Sequence, residues 1–170
     1  MSEQGRHIWL CGFMGCGKST VGPLLAALCG ADFIDMDQAI EDGEGLRIPE
    51  IFSRYGEPRF RELEAAYVAR LSVYPPAVIA AGGGTFVSQS NAEEAKRAGV
   101  IVFLDVPFET CYARIANSDR PIVRQSTKEV LLEIYEKRRI LYRRHADFCF
   151  DEPLSPQETA RRLAQQLSFF

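Results

Sequence analysis

The sequence predicts an α/β fold of three layers, in which a central parallel sheet of about five strands is covered by helices on both faces. Two observations predict it. Short apolar runs alternate with stretches of helical spacing, and turn residues separate the two kinds of segment. The chain has 170 residues, which suits one domain better than two. Because this alternation implies right-handed crossovers, we expect ligands beyond the carboxyl ends of the strands.

The predicted strands are short and apolar, as strands buried on both faces are. They cover residues 8–11, 33–34, 77–81, 100–104 and 148–150. The predicted helices cover residues 18–29, 48–55, 59–73, 91–98, 108–116, 128–144 and 157–167. Two segments, 42–45 and 117–121, are rich in residues that favour loops, and loops on a rigid sheet are where moving parts tend to lie.

Charge and hydropathy argue against two classes of partner. The formal net charge is −3 and no long run of lysine or arginine is present, so we expect no nucleic-acid partner. The first seven residues lack the apolar centre of a leader, and no apolar run reaches the roughly 20 residues that span a bilayer. The sequence therefore predicts a soluble, unprocessed protein without a membrane partner. We also expect a monomer in the cytoplasm.

The chain has five cysteines, an odd number without a Cys-x-x-Cys pair, and this favours reduced thiols. Cys16 lies between two glycines at a predicted helix start. Two interpretations are open: a small side chain in a small slot, or a thiol whose oxidation would block the site. His7 and His145 are too isolated in sequence to suggest a His-ligated metal site.

A nucleotide-binding motif follows the first predicted strand. Residues 12–19, Gly-Phe-Met-Gly-Cys-Gly-Lys-Ser, fit G-x-x-x-x-G-K-[ST], the P-loop, between a strand and a helix. Backbone N–H groups of such a loop cradle phosphates, the lysine adds a cation, and the serine hydroxyl can bind Mg²⁺. We therefore predict a P-loop fold that binds ATP and Mg²⁺. The predicted nucleotide ligands are Gly12, Gly15, Cys16, Gly17, Lys18, Ser19 and Thr20.

Two carboxylates, Asp35 and Asp37, follow the second predicted strand. One can face the metal ion while the other faces a hydroxyl group of an acceptor. The alternative for Asp37 is that it caps the next helix, a role that aspartate fills well.

Two further segments can bind an acceptor. Arg61 and Glu64 stand three residues apart on one helix face, so Glu64 can hold the Arg61 guanidinium ready to grip a carboxylate. A plain surface ion pair is the alternative. Gly82, Gly83 and Gly84 follow the third strand, where a ligand can approach the backbone closely, although a flexible turn gives the same pattern.

The chain resembles shikimate kinase over most of its length, with six motifs in the family's order. These are the P-loop, Asp-x-Asp (Asp35, Asp37), Phe-Arg-x-x-Glu (Phe60, Arg61, Glu64), the triple glycine, the lid Arg-Pro (Arg120, Pro121) and Arg-x-x-x-Tyr (Arg138, Tyr142). The resemblance implies a fold similar to that of nucleoside monophosphate kinases. It also implies transfer of the γ-phosphoryl group of ATP to the 3-hydroxyl of shikimate.

The resemblance also implies roles for individual residues. Asp37 would hold the ring hydroxyls, Arg61 and Arg138 would grip the carboxylate, and the triple glycine would line the ring. Asp35 and Ser19 would bind magnesium, Lys18 and Arg120 would serve the transfer, and Arg114 would lie against adenine. Residues 1–170 would form one kinase domain, with an acceptor-binding segment at about 36–64 and a mobile lid at about 114–126.

The sequence departs from the family at three places. Ala80 and Ala81 precede the triple glycine where many members have a hydroxyl, and the lid continues with Ile122 and Val123 instead of two leucines. The stretch from Arg114 to Arg120 is also short. Two rival functions stay open at this point. One is a kinase of another small acceptor, such as gluconate or a nucleoside monophosphate. The other is a regulator that binds nucleotide and signals through a partner.

Overall fold

The computed structural model describes residues 6–168, so the first five residues, on which part of the no-leader expectation rests, lie outside it. The described chain contains a parallel sheet in the order β2-β3-β1-β4-β5. Its strands are β1 (His7–Cys11), β2 (Asp32–Asp35), β3 (Ala77–Ala80), β4 (Gly99–Leu104) and β5 (Phe148–Phe150). The predicted α/β fold with five parallel strands is confirmed.

Helices cover the sheet and supply its connections. They are α1 (Lys18–Cys29), α2 (Met36–Glu44), α3 (Ile48–Ser72), α4 (Gln89–Ala98), α5 (Phe108–Ile115), α6 (Pro121–Arg124), α7 (Lys128–His145) and α8 (Pro156–Leu167). A short 3₁₀ turn covers Thr85–Val87. Apart from α2, α6 and the junction inside α3, the predicted elements begin and end within two residues of the observed ones.

The loop predicted at 42–45 is wrong, because residues up to Glu44 belong to α2. Gly45 ends the helix in the left-handed conformation, with φ of 65°. The helix forms because Met36 and Ile40, one turn apart, are buried on one face. Gly43 suggested a loop, but its place in the helix has a packing reason: a side chain there would collide with the hydroxyl of Tyr67.

Helix α3 joins the two predicted helices 48–55 and 59–73 into one element with a kink. The kink is at Gly56, whose φ of 79° and ψ of 170° are not helical. Positive φ of this kind is easy only for glycine, and Pro58 lies two residues further along. The second half of α3 therefore leaves the kink in a new direction, and its residue Arg61 lies against Gly84, after β3. In the lid, the loop predicted at 117–121 ends one residue early, because Pro121 begins α6.

The core surrounds the central strand β1. Trp9 and Leu10 are fully buried, and Leu10 pairs in register with Ala80 of β3 and Val102 of β4. Burial of one such apolar side chain stabilises the fold by about 1.5–3 kcal/mol. Because all strands run in the same direction, their carboxyl ends lie together at one end of the sheet. Within residues 6–168, no helix combines the length and apolar character needed to cross a membrane.

Candidate active site

The P-loop connects the central strand β1 to α1, at the carboxyl end of the sheet. Gly12, Gly15 and Gly17 have φ of 147°, 79° and 102°, a region that side chains with a Cβ rarely enter. Gly17 is also the N-cap of α1, so the positive end of the helix dipole points at the loop. The loop thus has the curvature and the electrostatic field of a phosphate cradle.

Lys18 folds back over this loop. Its Nζ donates to the backbone oxygens of Gly12, at 2.8 Å, and Phe13, at 3.3 Å, and lies 3.5 Å from Cys16 Sγ. Cys16 is 4% exposed, and a Cβ on Gly12 would lie 2.7 Å from its sulfur. The small-slot interpretation of Cys16 therefore fits the structure, because its sulfur fills space that Gly12 leaves.

Ser19 and Asp35, the two predicted magnesium ligands, are in direct contact. Ser19 Oγ donates to Asp35 Oδ2 at 2.7 Å, which brings two hard oxygen donors together beside the loop. Mg²⁺ commonly takes one or two protein oxygens and fills its shell with phosphate and water, so this pair fits it. Asp35 Oδ1 also accepts from Gln38 N and caps α2. The alternative that Asp37 caps the helix is therefore wrong.

Asp37 faces the cavity from the first turn of α2, beside the lid. Its Oδ2 lies 3.7 Å from Arg120 Nη1. Burial raises the pKa of the Asp37 carboxyl above its ordinary value, while the Arg120 cation opposes the shift and Asp35 adds to it. A carboxylate that is partly buried and next to a cation can accept a hydrogen bond from a hydroxyl group of an acceptor.

Arg61 forms an ion pair with a buried carboxylate. Arg61 Nη1 donates to Glu64 Oε2 at 2.5 Å, and Thr85 Oγ1 donates to Glu64 Oε1 at 2.7 Å. The Glu64 side chain is only 1% exposed, so the alternative of a plain surface ion pair is wrong. Sequence reasoning missed Thr85; its only signal was a hydroxyl directly after the triple glycine.

The triple glycine makes room for these polar side chains. A Cβ on Gly82 would lie 2.8 Å from Glu64 Oε1 and 2.9 Å from Asp37 Oδ1, and one on Gly84 would collide with the Arg61 guanidinium. A merely flexible turn would not need side chains packed this closely against its glycines. Side chains of the site thus lie close to Gly82 and Gly84, and a ligand contact at the triple glycine stays a prediction.

The structure separates Arg138 from the arginines around it. Arg139 donates to both oxygens of Asp105, at 2.8 and 2.9 Å, and Arg143 donates to one of them at 2.5 Å. Burial alone would raise the pKa of Asp105, but these two arginines outweigh it and hold the pKa low. Arg138 instead lies beside Gly83, with Nη1 3.6 Å from where a Cβ would be.

Tyr142, one turn after Arg138, is buried and donates a hydrogen bond to the backbone oxygen of Gly83. Burial is the main cause that raises the pKa of its phenol, so the hydroxyl stays a donor at neutral pH. The Arg-x-x-x-Tyr spacing thus places one residue in the cavity and the other on the glycine backbone.

Two cavities meet at the P-loop. The first, of about 1020 Å³, runs from the loop past Arg114 to the segment after β5, where Asp151, Pro153 and Leu154 line it. The second, of about 930 Å³, lies between α2, α3 and the lid. They share lining residues, among them Ser19, Asp35, Asp37, Gly83, Ser118 and Arg120. Sequence reasoning missed the segment after β5, although two prolines close behind a strand were a signal of an ordered loop.

Arg114, Ser118 and Arg120 line the first cavity. Arg114 Nη1 donates to the Gly15 backbone oxygen at 2.8 Å, which ties α5 to the P-loop. Residues 116–120 connect α5 to α6, and Arg120 lines both cavities. A contact between Arg114 and adenine stays a prediction.

Comparison with known proteins identifies relatives of this arrangement. The family model described as shikimate kinase matches residues 14–168. A shikimate kinase of Thermodesulfovibrio yellowstonii is 38% identical over 95% of this chain and 94% of its own length. The solved structure of the Acinetobacter baumannii shikimate kinase in complex with shikimate is 33% identical, covers 98% of this chain and 95% of its own, and has a TM-score of 0.91. That of Aquifex aeolicus is 36% identical, with 95% and 96% coverage and a TM-score of 0.84.

Proposed function

The chain belongs to the shikimate kinase family, and we propose on that basis that it transfers the γ-phosphoryl group of ATP to the 3-hydroxyl of shikimate. The products are shikimate 3-phosphate and ADP, in a step towards chorismate and the aromatic amino acids. Relatives that carry this name match almost the full chain, and one of them is described in complex with shikimate.

The observation that carries the proposal is the composition of the second cavity. Arg61 and Arg138 provide two cations for a carboxylate, and Asp37 provides an acceptor for hydroxyl groups. A cyclic hydroxy acid has both kinds of group. The cavity opens to the P-loop, so a hydroxyl held by Asp37 faces the phosphates of a nucleotide in the first cavity.

In the proposed mechanism the P-loop residues position the phosphates of ATP. Lys18 leaves the backbone oxygens of Gly12 and Phe13 and turns to the β- and γ-phosphates. Ser19 and Asp35 would hold Mg²⁺, which neutralises charge on the phosphate oxygens when bound. The segment after β5 and Arg114 provide the walls for the base and ribose.

Asp37 acts mainly by positioning the acceptor hydroxyl. Phosphoryl transfer passes through a loose transition state with little bond formation to the acceptor, so a strong base is not needed. Holding the hydroxyl in line with the γ-phosphorus removes the entropy cost of finding that geometry. Glu64 orients Arg61, and Arg61 with Arg138 holds the other end of the acceptor.

Arg120 completes the site from the lid. Water is also a competent acceptor, so the enzyme needs a lid that excludes it when shikimate is present. We propose that residues 114–126 are that lid, that segment 36–64 closes on shikimate, and that both belong to a single kinase domain of residues 1–170. In the transfer step, the Arg120 guanidinium would move from Asp37 to the phosphate oxygens. A monomeric state and a cytoplasmic location stay predictions.

A panel of acceptors tests the function. ADP formation should rise many-fold when shikimate is added to enzyme, ATP and Mg²⁺, while gluconate and AMP should leave it near the ATP-only rate. Equal stimulation by gluconate would assign the enzyme to a different acceptor. A slow ATPase that no acceptor stimulates would instead support a nucleotide-binding regulator.

A further inference from the structure

Arg61 has two carboxylate partners, and they bind different parts of its guanidinium group. Nη1 donates to Glu64 at 2.5 Å. Nε and Nη2 both donate to Glu57 Oε1, at 3.2 and 2.9 Å. The Nε and Nη2 edge is one from which arginine grips a carboxylate with two parallel hydrogen bonds. Glu57 therefore occupies a position that an external carboxylate would need.

The two partners differ in whether they can leave. The Glu64 side chain is 1% exposed and is also held by Thr85, so moving it would leave a buried charge without its partner. The Glu57 side chain is 60% exposed, and solvation in water replaces what it loses when it turns away. Glu57 also directly follows the kink residue Gly56. Glu57 is thus the partner that a ligand can displace.

Two further contacts hold Arg61 against the protein. Its guanidinium packs so closely on Gly84 that no Cβ fits there, and its Cζ lies 5.6 Å from the centre of the Phe60 ring. Both Glu57 and Arg61 line the second cavity. An acceptor in that cavity therefore reaches the guanidinium edge at the place where Glu57 lies.

We propose that Glu57 is an internal competitor for Arg61, which the carboxylate of the acceptor displaces when it binds. The inference rests on the proposed function. Glu57 is a specificity-determining residue in this scheme, because a neutral polyol cannot replace a carboxylate on Arg61 and leaves the Glu57 contact in place. An acid can make the exchange, and part of its binding free energy is spent in doing so.

The test is Glu57→Gln, which keeps the size of the side chain and one carbonyl oxygen but removes the charge. We expect KM for shikimate to fall by about two- to fivefold, the factor expected for losing a competing exposed ion pair. Both kcat and KM for ATP should stay at the wild-type value. A higher KM for shikimate would show that Glu57 positions Arg61 instead of competing for it, and an unchanged KM would show that it does neither.

Glu62→Gln is the matched control. Glu62 is on the same helix, carries the same charge and pairs with Arg59 at 3.1 Å. If the gain came from a general loss of negative charge near the cavity, Glu62→Gln would give it too, and the proposal would be overturned. We expect wild-type KM for shikimate in this variant.

The methyl ester of shikimate separates competition from other effects. The ester keeps the ring hydroxyls but lacks the anionic carboxylate, so its KM should not improve in Glu57→Gln. An equal gain for acid and ester would overturn the proposal. A wild-type enzyme that fails to phosphorylate shikimate would refute the proposed function, whereas normal wild-type turnover without a lower KM in Glu57→Gln would refute only the role of Glu57.

Discussion

The guanidinium group of Arg120 in the lid lies against the carboxylate of Asp37 at the acceptor site, with Nη1 3.7 Å from Oδ2. The pair spans the junction of the two cavities, so it couples the lid to the place where we expect the acceptor hydroxyl. In this conformation Arg120 is paired with a carboxylate and not directed at the P-loop. Its proposed work on the phosphates therefore requires it to exchange one anionic partner for another.

Arg120→Ala should lower kcat by about a hundredfold or more, with a smaller change in KM for ATP. The reason is that Arg120 reaches the phosphates only after closure and thus acts chiefly in the transition state. Arginines that neutralise a transferring phosphoryl group are worth roughly 10³–10⁵ in rate in GTPases, and here Lys18 and Mg²⁺ would share the task. Arg120→Lys should restore only part of the loss. Steady-state kinetics with near-normal kcat and a raised KM for ATP would make Arg120 a ground-state clamp.

Arg120→Ala should also move the acidic limb of the pH profile to higher pH. Asp37 is needed as a carboxylate, so activity is lost as the pH falls through its pKa, which burial holds above the usual value. The Arg120 cation lowers this pKa, and its removal lets the pKa rise further. The profile of kcat/KM for shikimate reports the free enzyme and is the measurement to use. Arg124→Ala, in the same lid, is the control and should leave the limb in place.

Lys18→Met should nearly abolish ADP formation while the chain stays folded. The substitution removes the cation of the P-loop and its hydrogen bonds to Gly12 and Phe13, but leaves the backbone N–H groups in place. A loss of about 1–3 kcal/mol in the free energy of unfolding is expected from those bonds. Activity assays combined with circular dichroism and urea titration measure both effects. Wild-type turnover would show that the loop does not serve phosphoryl transfer.

Asp35→Asn and Asp37→Asn should have different defects. Asparagine caps helices as well as aspartate, so Asp35→Asn keeps the start of α2 but loses a charge beside Ser19 and should need more Mg²⁺. Asp37→Asn should lower kcat/KM for shikimate and leave KM for ATP almost unchanged. Titrations with Mg²⁺ and with shikimate separate the two. The division of roles fails if both variants show the same metal dependence and the same acceptor defect.

Gly84→Ala should raise KM for shikimate by about tenfold or more without unfolding the protein. Its φ of −100° suits alanine, so the backbone is not strained. The new methyl group would collide with the Arg61 guanidinium, which is the far end of a long side chain and can move. Loss of a hydrogen-bonded charged contact costs about 1.5–3 kcal/mol, which sets the size of the effect. KM for ATP is the internal control, and an unchanged KM for shikimate would mean that Arg61 does not bind it.

Much of the fold could be predicted from sequence because the strands are apolar runs and the helices have clear periodicity. The failure at α2 has a physical cause: residues 42–45 contain two glycines, and local propensity cannot show that Tyr67 fills the space beside Gly43. The kink at Gly56 was predicted as a gap between helices, which is the same break in backbone geometry.

The site was predicted less completely, since its motifs reveal residue types but not their distant partners. The P-loop is local in sequence and was found with its context. Thr85, which binds Glu64 from 21 residues away, was not. Arg138 could be preferred only by its spacing to Tyr142, because the engagement of Arg139 with Asp105 spans 34 residues and cannot be read along the chain.

The strand order places the two halves of the active site towards opposite ends of the sheet. Asp37, expected to bind the acceptor, follows β2 at one edge. The P-loop follows β1 in the centre, and the segment expected beside the nucleotide base follows β5 at the other edge. With about 4.8 Å between neighbouring strands, the two edges lie roughly 19 Å apart. Substitutions that change the choice of acceptor therefore need not disturb the choice of nucleotide. Evolution can adjust the two preferences independently on one unchanged scaffold.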